Sequence, residues 1–313
     1  MTLKIEDLSV SYGDFEVLKN ISFELSKGQL IGLVAPNGTG KTTLFNAIMR
    51  FIPVKSGKVF IDDKEYTASD NDVLALHQKI TFFPDQADLF ENFTGREHIE
   101  MYAEIWSGRE EDVVEIIDRL EMDNYVDRKV QEYSLGMRQR LCFAMMVAAD
   151  TPIMFMDEVM NGLDPENVSL VSDVLIELRA AEKIVIIASH LLDNLDEYAD
   201  KVFFLKEKVL HHINDLNVER PFFYKVVCTD EQYKHLETKN FITEHTILLS
   251  TNVLCIPVSD LSKEEDHRLF HELREMAIQS IEIAPLGTSE YYSHLYGLRI
   301  HSFNRGGEVD EKL

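Results

Sequence analysis

Basic residues are scarce in this chain of 313 residues: 31 lysines and arginines stand against 55 aspartates and glutamates, a formal charge of -24. Nucleic acids and anionic membrane surfaces are polyanions that recruit lysine- and arginine-rich surfaces, so this balance opposes both as direct partners. Cysteine is scarce as well. Cys142, Cys228 and Cys255 cannot all pair within one chain, and their wide spacing lacks the short Cys-x-x-Cys interval of a zinc site, so buried thiols in a reducing cytoplasm are expected. No uninterrupted apolar run approaches the roughly 20 residues that cross a bilayer as a helix. If the protein serves a membrane, another polypeptide supplies the channel. The opening MTLKIEDLSV alternates apolar and charged residues and has no apolar stretch suited to a signal peptide, so secretion is not expected.

What is present is apolar material, 45% of the residues, enough for one large domain and a smaller one. Residues 2 to 10 and 15 to 25 alternate like strands joined at Tyr12-Gly13-Asp14, and QLIGLV at 29 to 34 is an apolar run of buried-strand type, with a helix expected from Lys41. IMFMD at 153 to 157 and IVIIAS at 184 to 189 each follow a helical stretch, the pattern of a parallel sheet with crossover helices and hence of an α/β domain. Between them, residues 94 to 128 place Ile99, Tyr102, Ala103 and Trp106 at helical spacing, which predicts a helical insert. After KVFFLKEKVL the pattern changes. PFFYKVV, TILLS and VLCIPV read as strands and residues 261 to 277 as a charged amphipathic helix, so a small α+β domain is expected from about residue 212. The adjacent His211 and His212 read as a solvated turn, and the tail from Asn304 to Leu313 as frayed.

The strand at 29 to 34, the segment Ala35-Pro36-Asn37-Gly38-Thr39-Gly40-Lys41-Thr42-Thr43 and a following helix are in the order that a phosphate-binding loop requires. Backbone N-H groups of Pro36-following residues Asn37 to Thr43 form a nest for phosphate oxygens at a helix start, Lys41 neutralises the β- and γ-phosphates, and the Thr42 hydroxyl suits Mg²⁺. The usual pattern has glycine where Ala35 stands. Alanine is tolerable there only at negative φ.

Downstream segments separate this chain from kinases and GTPases. YSLGM at 133 to 137, followed by Gln-Arg-Leu within 139 to 141, closely resembles the LSGGQ-type signature of ABC ATPases, with Ser134 and Gly136 at its key positions. A serine before a helical run is an N-cap, and such a helix start offers unpaired N-H groups to a γ-phosphate. IMFMDE at 153 to 158 resembles the Walker B element. That resemblance implies Asp157 in the Mg²⁺ shell and Glu158 polarising the attacking water. NGLDP resembles the D-loop with Asp164, ASH the switch histidine with His190, and Tyr12 holds the aromatic position that stacks on adenine. Counting back from Leu89-Phe90 puts Asp85 at the glutamine-loop position with Gln86 next to it, and either residue suits the metal-bound water. Val159 stands where the family has proline.

The resemblance covers residues 1 to about 211. It implies a P-loop NTPase fold of the ABC ATPase type with a helical subdomain at about 87 to 150, followed by an accessory domain over 212 to 313. In that family two ATPase chains sandwich ATP and Mg²⁺, so a second chain is implied, as homodimer or heterodimer, together with a transmembrane permease whose coupling helix meets the helical insert. The implied location is cytoplasmic, peripheral on the inner face of the membrane through the permease alone. The YSLGM form and the acidic C-terminal extension most resemble bacterial exporter ATPases of the bacitracin-resistance type, which implies export of peptides or drugs. The alternatives are a soluble ABC ATPase acting on ribosomes or DNA, and a weakly hydrolysing regulatory subunit motivated by Ala35, Asp85 and Val159.

Overall fold

β1 (Thr2–Tyr12) and β2 (Phe15–Ser26) pair as an antiparallel hairpin that turns at Gly13 and Asp14. The chain continues through β3 (Gln29–Val34), α1 (Lys41–Ile48), β4 (Ser56–Ile61), β5 (Lys64–Tyr66), α2 (Asp70–His77) and β6 (Ile80–Phe82). Then come α3 (Gly95–Tyr102), α4 (Asp112–Arg119), α5 (Leu135–Ala149), β7 (Ile153–Asp157), α6 (Pro165–Ala180), β8 (Ile184–Ala188), α7 (Leu192–Tyr198), β9 (Lys201–Lys206) and β10 (Val209–Ile213). The computed structural model describes residues 1–107, 112–189, 192–213, 221–249, 252–276, 278 and 280–297. It divides into two units, Met1–Asn217 and Val218–Leu313.

Among the described residues the first unit holds two sheets. One is antiparallel, in the order β2-β1-β4-β5; the other runs β10-β9-β3-β8-β7-β6, parallel except for the edge strand β10. β3, β7 and β8 are buried along almost their whole length because helices or the other sheet cover both faces, which is why they read as continuous apolar runs rather than alternating ones. α1 packs into the core between the sheets, its Phe45 ring stacked 4.9 Å from Phe155 of β7. This packing fixes where the first turn of α1 points, and so positions the loop before it.

β1 bulges against β4: the register slips between Glu6 and Ser9, and Asp7 takes φ 47°. Gly57 faces the bulge at φ 107°, where a Cβ would lie 2.4 Å from the Leu8 Cα. Gly57→Ala is expected to destabilise this unit by about 3 kcal/mol or more, since strained backbone and a main-chain clash must both be relieved. The measurement is a lower denaturant midpoint at unchanged m-value.

The helical insert forms where apolar spacing predicts it. α3 opens on a capping box, Thr94 with Glu97, and passes into a π-helical turn at Ala103–Ser107. Trp106 is half-buried; its indole N-H donates to the His77 carbonyl at 2.8 Å and its ring lies 5.0 Å from that of Tyr102, tying the insert to the end of α2. No described helix is long and apolar enough to cross a membrane.

His211 and His212 lie in a strand, not a turn. The turn falls four residues earlier, at Glu207 and Lys208 (φ 50° and 71°), and β10 pairs back on β9 with His211 opposite Phe204. The first unit therefore extends past residue 212.

The second unit contains β11 (Phe222–Val227), α8 (Asp230–Thr238), β12 (Ile247–Leu248), β13 (Val253–Pro257), α9 (Lys263–Glu275), β14 (Ile281–Pro285) and α10 (Thr288–Tyr296). Its antiparallel sheet has the order β12-β13-β11-β14, a split βαββαβ arrangement. Leu236 of α8 and Leu269 and Leu273 of α9 pack on one face with Tyr224, Val226, Leu254 and Ile256; Tyr291 of α10 packs on the other with Phe223 and Cys255. Cys142, Cys228 and Cys255 are buried as free thiols, and burial pushes Cys142 up to about 12.

Candidate functional site

The loop between β3 and α1 resolves the question raised by Ala35. The left-handed conformations fall on Gly38 (φ 77°) and Gly40 (φ 112°), whereas Ala35 is buried and outside that region, so the alanine is held without strain. A Cβ on Gly40 would be strained at this φ and would press on the Val17 Cγ1 at 3.0 Å, so the position favours glycine chiefly for its backbone. The Thr39 hydroxyl donates to the Pro36 carbonyl at 2.8 Å. The N-cap of α1 is Gly40, which has no side chain to cap the helix, and a helix start of this kind offers its first N-H groups to an anion.

Lys41, only 6% exposed, donates through Nζ to the Ala35 carbonyl at 2.8 Å. Burial lowers its pKa, and the carboxylates of Asp157 and Glu158 pull it back up. The adjacent Thr42 hydroxyl donates to Asp157 Oδ2 at 2.5 Å. Glu158, just past β7, has φ 55°; its N-H donates to the Ala188 carbonyl at 2.8 Å and its carboxylate accepts from the Asn161 side chain.

At the glutamine loop the two neighbours differ. The Asp85 carboxylate caps a single helical turn, accepting from the Ala87 N-H at 2.8 Å. The Gln86 amide nitrogen donates to Gln139 Oε1, while Gln86 Oε1 is buried without a partner among the described residues. The Thr42 hydroxyl, the Asp157 carboxylate and the Gln86 amide oxygen belong to residues that line one cleft, and oxygen donors are the kind Mg²⁺ takes alongside substrate phosphates and water.

One cleft of about 1240 Å³ brings Asn37, Gly38, Gly40 and Lys41 to Thr43 together with Asp85, Gln86, Asp157 and Glu158. Pro36 and Thr39 lie in the same loop but do not line it. Nor does Tyr12, which is 55% exposed opposite Phe15 across the β1–β2 hairpin; of these two aromatics, Phe15 is the one that lines the cleft.

Ser134, Gly136 and Asp164 also stand apart from the lining. Ser134 caps α5 by accepting from the Met137 N-H at 3.3 Å, with Gly136 in the first turn. Asp164 caps α6, accepting from the Asn167 N-H at 2.9 Å, with Pro165 at the first helical position. His190 lies outside the described residues.

Two polar residues that lie within the quoted motif segments, but to which the sequence assigns no role of their own, belong to the same constellation. Asn161 holds the Glu158 carboxylate. Gln139, 4% exposed, donates to the carbonyls of Glu158 at 3.0 Å and Val159 at 2.8 Å. The available signal for Gln139 was its place one helical turn before Phe143 and two before Met146, a lone amide on the buried stripe of α5.

A family profile described as ABC transporter matches residues 18–161. An ABC transporter ATP-binding protein of Methanocaldococcus jannaschii is 30% identical over 215 residues, covering 67% of this chain and 76% of that protein. The lantibiotic transport ATP-binding protein SrtF of Streptococcus pyogenes is 26% identical over 205 residues, covering 66% of this chain and 87% of that protein. Among solved structures, a dimeric ATP-binding cassette in a post-hydrolysis state bound to ADP and Pi shares the fold with a TM-score of 0.63 at 22% identity, covering 69% of this chain and all of that one. With its loop, acidic pair and capped α5 arranged on this fold, the chain belongs to the ATP-binding proteins of ABC transporters and is an ATPase.

Proposed function

We propose that the chain powers an exporter of peptides or drugs, two ATPase chains closing on ATP and coupling to a separate membrane permease. The observation that carries this reading is the division of the site. Lys41, Thr42, Asp157 and Glu158 meet in one cleft, which Leu135 in the first turn of α5 also lines, whereas the cap residues Ser134 and Asp164 do not line it; we read these caps as completing the site of a second copy.

In the closed pair, the N-H groups of Asn37 to Thr43 and the Lys41 ammonium hold the phosphates. Tyr12, with Phe15 beside it, takes the adenine ring. Thr42, Asp157 and Gln86 would hold Mg²⁺, and Asp85 shapes the turn that carries Gln86. Magnesium, when bound, spreads the charge that develops on the β- and γ-phosphate oxygens. Glu158 draws the proton from the attacking water, and His190 is assigned to the γ-phosphate by its place in the ASH segment. The capped start of α5 at Ser134 and Gly136 closes on the γ-phosphate of the partner's ATP, and Asp164 lies along the same seam. Loss of the bridging γ-phosphate reopens the pair.

The far wall of the cleft, where Phe51, His77, Phe83, Tyr102 and Trp106 line a half-open aromatic groove, is assigned to the permease's coupling helix. That contact would hold the chain at the inner face of the membrane. Export is supported by the likeness to the lantibiotic transport protein and by the YSLGM form of the signature. The test is purification of the tagged chain from membranes of its own host. An integral permease and MgATP-dependent phosphate release are expected in one complex; recovery with ribosomes and no permease would overturn the reading.

A further inference from the structure

Glu158 holds a conformation that residues other than glycine rarely take, φ 55°. Such a conformation persists only where the surroundings over-determine it. Its N-H is anchored on the Ala188 carbonyl at 2.8 Å and its carboxylate on Asn161. Its carbonyl is anchored on Gln139, whose amide nitrogen reaches Glu158 O at 3.0 Å and Val159 O at 2.8 Å. With the amide hydrogens of Gln139 directed at these two carbonyls, only Oε1 remains for the other side, and there it accepts from Gln86. This bond fixes the flip of the Gln86 amide as well. Gln86 must present nitrogen to Gln139, so its oxygen is the atom left buried beside the cleft, without a partner among the described residues.

We propose that Gln139 is a positioning residue that sets the main chain at Glu158 and the amide orientation of Gln86 together, so that displacement of the Gln86 turn reaches Glu158 through one side chain. The proposal rests on the reading of Glu158 as the base. Gln139 need not touch substrate. It lines the cleft at 4% exposure, on the helix that begins after Ser134, and links three segments: the Gln86 turn, α5 and the end of β7.

The test compares the full-length chain with Gln139→Met and Gln139→Lys. Methionine fills the volume but leaves both carbonyls without their donor; lysine supplies a donor but cannot accept from Gln86. For a folded Gln139→Met, kcat for phosphate release is expected to fall about 10- to 100-fold, the scale at which misplacing a reacting group by about an ångström is felt. KM for ATP and nucleotide affinity are expected to stay within about threefold, as for a group acting on the transition state alone. Gln139→Lys is expected to recover a several-fold share of that loss. Unchanged kcat in Gln139→Met, an equal collapse of nucleotide binding, no recovery in a folded Gln139→Lys, or loss of the fold in both variants overturns the proposal. Glu158→Gln run in parallel separates the two readings. If it turns over normally the assignment of the base fails; if it is inactive while Gln139→Met is normal, only the link fails.

Discussion

Glu158→Gln is expected to bind MgATP with undiminished affinity and to release phosphate about 10²-fold or more slowly than the unaltered chain, the usual scale for losing a positioned base. The substitution removes basicity and little else. A glutamine oxygen can still accept from the Asn161 amide, and the main-chain bonds to Ala188 and Gln139 do not involve the side chain, so the left-handed conformation at 158 is retained. Single-turnover phosphate release, with nucleotide affinity measured on the same preparation, separates chemistry from binding. Turnover within about threefold of the unaltered chain would remove Glu158 from the role of base.

Lys41→Ala should act earlier, on binding itself. The Lys41 ammonium is buried by the loop it serves, its proton affinity lowered by that burial and restored in part by Asp157 and Glu158. Without it the triphosphate would face those two carboxylates with only backbone N-H groups opposing them, and charge interactions at such range are strong in a cleft of reduced dielectric. An expected loss of about 10²-fold or more in kcat/KM, carried largely by weaker ATP binding, follows from removing one such cationic partner. Titration with ATP checks it, and affinity within about threefold of the unaltered chain would contradict it.

The motifs were legible because their spacing is set by local geometry. Glycine must stand where the loop needs φ 77° and 112°, lysine must begin the helix, and the acidic pair must end a buried strand. The parallel sheet was legible for a related reason, since β3, β7 and β8 are buried on both faces and read as apolar runs. What depends on packing between distant segments was not legible. The choice between Asp85 and Gln86 turns on a side chain from α5, 53 residues away from Gln86, and Gln139 itself carries no spacing that marks it as a partner of β7. His211 and His212 were misplaced because the Glu207-Lys208 turn uses left-handed conformations at residues with no special preference for them. Tyr12, expected at the cleft from its motif position, does not line it, whereas the approach of Phe15, its partner across the hairpin, depends on the register of β1 and β2.

That two copies share each site is tested most directly by sedimentation of Glu158→Gln with and without MgATP. A shared site predicts a monomer in the absence of nucleotide and a dimer with MgATP, dispersed again when Ser134→Glu places a like charge against the γ-phosphate. A monomer that persists at saturating MgATP, while nucleotide is shown to be bound, would contradict it.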